Sequence, residues 1–124
     1  MTRVLLIGGF GAIGAIARHL VDGWLGGVGR GEFPWATFTV NIAGSFALGV
    51  LVALTSSGVL ESANWRFAIG VGFLGAFTTF STFTYQAIAL AEGPAQGTAL
   101  LYVAGSVLLG LAAAYCGLQL GRLI

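Results

Sequence analysis

The chain has 124 residues, enough for one domain, and is 57% hydrophobic but only 7% charged. Soluble domains carry about 25% charged residues; charge this sparse cannot wet the surface of a globule, which excludes a soluble enzyme and a disordered segment. The five basic residues are all Arg and stand against four acidic ones, a net charge of +1, so nucleic acid finds no basic stripe.

Mean hydropathy is +0.96. The charges punctuate long apolar runs, and these predict transmembrane helices over about 4–25, 34–55, 67–90 and 97–120, each near the roughly 20 residues a span requires. The first run, Val4–Ala17, reaches Leu25 if Arg18 and Asp22 lie near a membrane end. It has a single Arg before it and no small-x-small cleavage site ahead of a soluble body, so a signal peptide is not expected. It also contains Gly9-Phe10-Gly11-Ala12-Ile13-Gly14, a literal GxGxxG. A dinucleotide fold needs a βαβ unit and an acid about 20 residues on, and Glu32 sits instead in a glycine-rich connection, Gly23–Glu32. In an apolar helix the same glycines permit close packing, with Gly8/Ala12 and Gly11/Ala15 as small-xxx-small pairs.

The second span carries Asn41 and is followed by the polar stretch Ser56–Asn64. Glu92-Gly93-Pro94 makes a tight turn between the third and fourth spans. Trp24, Trp35 and Trp65 fall at span boundaries, as an interfacial belt requires. The fourth span carries Tyr102, Ser106 and Gly110 at four-residue spacing, and Ser106, Gly110 and Ala114 also read as a packing seam. Cys116 has no partner for a disulfide or a paired-Cys metal site and reads as a small buried hydrophobe.

With four spans, Arg3, Arg66 and Arg122 share one side of the membrane, and Arg18 and Arg30 the other. So small a bias leaves two outcomes open: one extra Arg orients every copy, or the chain inserts both ways and two copies pair antiparallel.

Polar groups inside a membrane are costly and are default functional candidates. Asn41 offers two N–H donors and an acceptor, and it serves either an ion path or a helix–helix hydrogen bond. The third span reads Gly72-Phe73-Leu74-Gly75-Ala76-Phe77-Thr78-Thr79-Phe80-Ser81-Thr82-Phe83-Thr84. Gly and Thr are poor helix formers, and Thr and Ser hydroxyls compete for backbone carbonyls. Either the helix breaks around Gly75–Thr79, freeing carbonyls for a cation and N–H groups for an anion, or it stays intact with its hydroxyls bonded to the preceding turn. Phe77, Phe80 and Phe83 recur at helical spacing on one face; they serve either as lipid contact or core, or their positively polarised ring edges hold an anion without a fixed countercharge. No Asp, Glu, Arg or Lys lies deep in any span. The interior is read as neutral, with hydroxyls, one amide and phenyl edges, which suits a small ion that must be desolvated and then released.

These segments resemble the Fluc/CrcB family of fluoride channels nearly end to end. The resemblance rests on Gly9-Phe10-Gly11-Ala12-Ile13-Gly14-Ala15-Ile16-Ala17-Arg18, on Asn41-Ile42-Ala43-Gly44-Ser45-Phe46 and, most specifically, on Gly72 to Phe83. It implies an all-α membrane protein of four helices, the third broken near its middle, paired in an antiparallel dual-topology homodimer in the inner membrane of a prokaryotic cell. It implies two pores in which Phe80 and Phe83 present ring edges to fluoride, Asn41 supplies an amide donor, and Ser81, Thr82, Tyr102 and Ser106 supply hydroxyls. Arg18 resembles an arginine near the aqueous entrance. The backbone carbonyls of Gly75 and Thr78 resemble those that hold a structural Na⁺ at the dimer centre. Gly110 leaves a gap where some relatives carry another hydroxyl. The competing readings are a proton-coupled small multidrug exporter, which would want a membrane-embedded Glu in the first helix, and a scaffold subunit that moves no ion.

Overall fold

A computed structural model of the chain describes residues 1–25 and 32–124. Most of the glycine-rich connection, with Arg30, therefore lies outside the described residues. The described residues are helical, without strands. Helix α1 is Thr2–Trp24 and α2 is Trp35–Ser56. The third span runs Ala63–Glu92 and its axis bends by 19°. Within it, α3 (Ala63–Phe67) passes into a π-helical stretch, Ala68–Leu74, then α4 (Gly75–Phe77) and α5 (Phe80–Glu92). Helix α6 is Gln96–Gly121. All four spans are long and apolar enough to cross a membrane.

The boundaries follow from local chemistry. Pro34, with φ −78°, precedes α2, where its missing N–H costs nothing. Gly58, at φ +81°, turns the chain after α2, a conformation that penalises any Cβ. Gly93 and Pro94 end α5. The third span starts four residues earlier than the uncharged run, because its polar first turn finds partners at the membrane edge. Arg3 Nε donates to Asn64 Oδ1 at 3.4 Å, and its guanidinium lies 4.7 Å from the Phe67 ring centre.

The helices are held by small residues and aromatic plugs. Helix α2 buries Ala36, Thr37, Val40, Gly44, Gly49 and Ala53; α6 lies along it, and the third span covers it at Gly44. A Cβ on Gly117 would collide with the Phe46 carbonyl, and one on Gly49 with the Ala114 carbonyl, so the two backbones are in direct contact. Helix α1 packs on the π-helical stretch by the same device: Gly14 faces the Phe73 carbonyl. These contacts correct the seam expected on α1. A Cβ on Gly8 would meet none of the described residues within 4 Å, and one on Gly11 would be only in ordinary contact with the Gly72 carbonyl. On α6 the expected seam does face α2: a Cβ at Gly110 would be in ordinary contact with Ile42 and Ser45 at 3.8 Å, and the Ala114 carbonyl lies against Gly49. Spacing alone marks small residues; it does not say which face a partner covers.

At one end, Tyr102 is fully buried among Leu90, Ala99, Phe33, Phe38 and Phe83, with Phe33 edge-on to it at 5.4 Å. At the other end, Trp65 lies edge-on to Phe10 at 5.6 Å. Elsewhere large apolar side chains point outward, among them Leu100, Leu101, Leu108 and Leu111, as they must where lipid is the solvent. Cys116 is also exposed, contrary to the buried hydrophobe expected. In a membrane the outside is as apolar as the core, so a small apolar side chain has no reason to turn inward.

Candidate functional site

The polar residues converge where the third span passes α2. Thr78 (ψ 160°) and Thr79 (φ −151°, ψ 119°) are extended. Gly44 makes the approach possible, because the Thr78 methyl occupies the space a Cβ there would need. One turn earlier on α2, Asn41 Nδ2 donates to the Thr79 carbonyl at 3.0 Å, and the Thr79 N–H donates to Asn41 Oδ1 at 2.8 Å. A single side-chain amide thus pairs with both backbone groups of one residue. Thr79 also caps α5: its Oγ1 accepts from the Thr82 N–H at 3.3 Å and donates to Thr82 Oγ1 at 3.0 Å. Thr78 Oγ1 donates to the Leu74 carbonyl at 2.9 Å.

Two carbonyls lose their helical partners as a result. The Thr79 N–H that would bond the Gly75 carbonyl goes to Asn41, and the Thr82 N–H that would bond the Thr78 carbonyl goes to the Thr79 hydroxyl. Neither carbonyl accepts a hydrogen bond from any described residue. On the other side of the extended pair, the Phe80 and Ser81 N–H groups open the first turn of the 13-residue helix α5 and have no backbone partner among the described residues. One short stretch therefore presents carbonyl oxygens and N–H groups side by side.

A cleft of about 360 Å³ opens here, walled by Asn41, Ser45, Gly75, Thr78, Phe80, Phe83 and Ser106 among others, with no charged residue in its lining among the described residues. The Ser106 Oγ is buried and has no hydrogen-bond partner among the described residues. Ser45 Oγ is already committed, donating to the Asn41 carbonyl at 2.7 Å. The Phe80 and Phe83 ring centres are 5.9 Å apart, and Phe80 is 77% exposed.

The structure thus gathers Asn41, Phe80, Phe83, Ser106, Gly75 and Thr78 around one cleft. It leaves four of the expected residues off that wall. Ser81 and Thr82 are exposed on α5 beside the Thr79 hydroxyl, and Arg18 is half-buried on α1. Tyr102 is sealed behind Phe83, ring centres 5.2 Å apart, and its hydroxyl donates to Gln86 Oε1 at 2.9 Å. Phe77 leaves the expected aromatic stripe: the extended pair resets the register, and it stacks on Phe73 at 5.5 Å. Gln86 is a second intramembrane amide that the one-amide reading overlooked. Its place three residues after Phe83 was the available signal, since uncharged amides are as costly in lipid as hydroxyls.

A family model described as "CrcB-like protein, Camphor Resistance (CrcB)" matches residues 5–118. The chain belongs to the CrcB family. Similar curated relatives carry the name "Fluoride-specific ion channel FluC". One from Thermus thermophilus is 44% identical over 119 residues, covering 96% of this chain and 93% of its own. One from Agrobacterium fabrum is 40% identical over 122 residues, 98% of each chain. A third, from Caulobacter vibrioides, is 43% identical over 124 residues, 98% of this chain and 97% of its own. The CrcB match takes in every residue of the cleft wall.

Proposed function

We propose that this CrcB protein is a passive, fluoride-selective channel that lets cytoplasmic fluoride leave a prokaryotic cell after entry as neutral HF. It is an ion channel and not an enzyme. The observation that carries the reading is the cleft itself: an uncharged space walled by a free Ser106 hydroxyl, the Asn41 amide and the paired Phe80 and Phe83 rings. Fluoride is small and tightly hydrated, and bare ions lose tens of kcal/mol on entering a low dielectric. Close, short donors must replace that water. The second Nδ2–H of Asn41, the Ser106 hydroxyl, the N–H groups opening α5 and the polarised phenyl edges do so without a fixed positive charge that would trap the ion. Chloride, larger and softer, gains less from such donors. The hydroxyls of Ser81 and Thr82 extend the track in this reading, Tyr102 backs the Phe83 ring with its own hydroxyl committed to Gln86, and Arg18 draws anions toward the mouth.

The working form in this reading is an antiparallel homodimer. Phe80 and the Gly75 face are exposed in the single chain although they line the cleft, so a second copy is what completes the wall. The near balance of Arg between the two sides is compatible with both orientations in one inner membrane. The extended pair Thr78–Thr79 acts as a helix break at the dimer centre. The unpartnered carbonyls of Gly75 and Thr78 are hard oxygen ligands and fit a Na⁺, one pair from each copy. A cation held by these carbonyls would supply the partner that their helix no longer does.

The exporter reading fares worse, because none of the described residues that line the cleft is an Asp or Glu able to carry a coupled proton. The test is efflux from liposomes loaded with KF or KCl, followed with ion-selective electrodes after valinomycin. Rapid fluoride release with chloride retained is expected. Retention of both ions by folded protein overturns the proposal.

A further inference from the structure

We infer that Asn41 is a positioning residue for the central carbonyls as well as a wall of the cleft: its side-chain amide acts as a backbone partner for Thr79 and thereby holds the Gly75 carbonyl free. In an uninterrupted α-helix the Thr79 N–H bonds the Gly75 carbonyl. Here it bonds Asn41 Oδ1 at 2.8 Å, while Asn41 Nδ2 holds the Thr79 carbonyl at 3.0 Å. Both ends of the amide are matched to both groups of one residue, which fixes Thr79 as extended. Gly44, one turn further along α2, is the clearance that brings the third span within reach. Without the amide, the Thr79 N–H is left unpaired in a buried setting, and the Gly75 carbonyl is the acceptor that helical geometry supplies. The stretch then closes toward a regular helix.

The consequence rests on the ion-path reading above. One side chain serves both ions: the second Nδ2–H of Asn41 has no partner among the described residues and borders the cleft, while Oδ1 decides whether a carbonyl is left for the cation. Anion and cation sites are coupled through Asn41, so its substitution changes two properties, and the two can be separated by chemistry. Asn41→Leu removes both hydrogen bonds at similar volume. Asn41→Asp keeps an oxygen for the Thr79 N–H and removes the donor.

The experiment uses full-length protein labelled with ¹³C-carbonyl Gly and ¹⁵N-Ala. Only Gly11–Ala12, Gly14–Ala15 and Gly75–Ala76 report in such a sample, and Gly75 is assigned by its loss in Gly75→Ala. In Asn41→Leu the Gly75 carbonyl signal is expected to move downfield, as a carbonyl gaining an N–H partner does, while Gly11 and Gly14 stay in place. In Asn41→Asp it is expected to hold the wild-type position. A parallel measurement compares thermal-unfolding midpoints in NaCl and in N-methylglucamine chloride. The Na⁺-dependent rise is expected in wild type and Asn41→Asp and absent from Asn41→Leu. If the leucine variant does not fold, Asn41→Ala reads the same two signals. A Gly75 signal unmoved by loss of the amide overturns the inference. A wild-type midpoint indifferent to Na⁺ removes the cation reading, and the carbonyl shift alone then decides the role of Asn41.

Discussion

The α2–α6 seam and the Asn41–Thr79 crossing both bring two helices together on α2, by opposite means. Along the seam, side chains are deleted: Gly49, Gly117 and Gly121 let backbone lie on backbone. At the crossing a polar side chain is inserted, and the backbone it engages gives up its own hydrogen bonds. The seam is closed chemistry, complete within one chain. The crossing is open: it leaves two carbonyls, two N–H groups and the Ser106 hydroxyl without partners among the described residues. Water cannot satisfy such groups in lipid, and in the function proposed above ions and a second copy meet them there. The seam serves as the rigid wall against which it is held.

Breaking the seam should therefore destroy the fold, while altering the open region should spare it. Gly117→Leu has the largest expected effect. Its side chain must displace the Phe46 carbonyl, main chain that cannot rotate away, and overpacking of this kind costs about 3 kcal/mol or more. Loss of the monodisperse species on size exclusion, together with all flux, is the expected result. Phe80→Ile comes next and acts on function alone. The ring is 77% exposed in the chain, so the fold of the single chain should be spared, while fluoride efflux falls roughly tenfold for each 1.4 kcal/mol of lost ion stabilisation. Unchanged efflux would remove the phenyl edges from the path.

The contrast also explains what the amino-acid sequence disclosed. Four spans were legible because a helix crossing lipid must be apolar over its whole length, and the charges fell where the crossings end. Asn41 and the Gly75–Thr79 segment stood out because polar and helix-weakening residues are rare in such a setting. Their pairing did not stand out: nothing in the spacing says that an amide on α2 meets a peptide 38 residues later, since that contact depends on a tertiary approach set by Gly44. Which glycines pack was equally hidden. Gly8, Gly11 and Gly14 look alike in sequence, and only the path of the third span singles out Gly14. Tyr102 was read as polar by type, yet its ring fills an aromatic cluster, and Gln86, unnoticed beside it, accepts the hydrogen bond from its hydroxyl.

Ser106→Ala sharpens the comparison through its sign. Deleting a satisfied hydroxyl destabilises a protein, but the Ser106 Oγ is buried without a partner among the described residues. Its removal relieves a desolvation penalty of about 1 kcal/mol. The variant should unfold at an equal or slightly higher temperature and conduct fluoride more slowly. A clear drop in the unfolding midpoint would mean that the hydroxyl is already bonded within the assembled protein and is not held in reserve for an ion.

Gly8→Ala is the smallest expected effect and tests the seam from its empty side. A Cβ at Gly8 meets nothing within 4 Å, whereas one at Gly14 strikes the Phe73 carbonyl. Alanine also forms helix better than glycine by about 1 kcal/mol, mostly through the entropy of the unfolded chain. If the Gly14 contact alone carries the approach of α1 to the third span, Gly8→Ala leaves flux unchanged and raises the unfolding midpoint slightly, while Gly14→Ala lowers it. Equal losses in both variants would place a second copy of the chain against Gly8, because none of the described residues is there to be displaced.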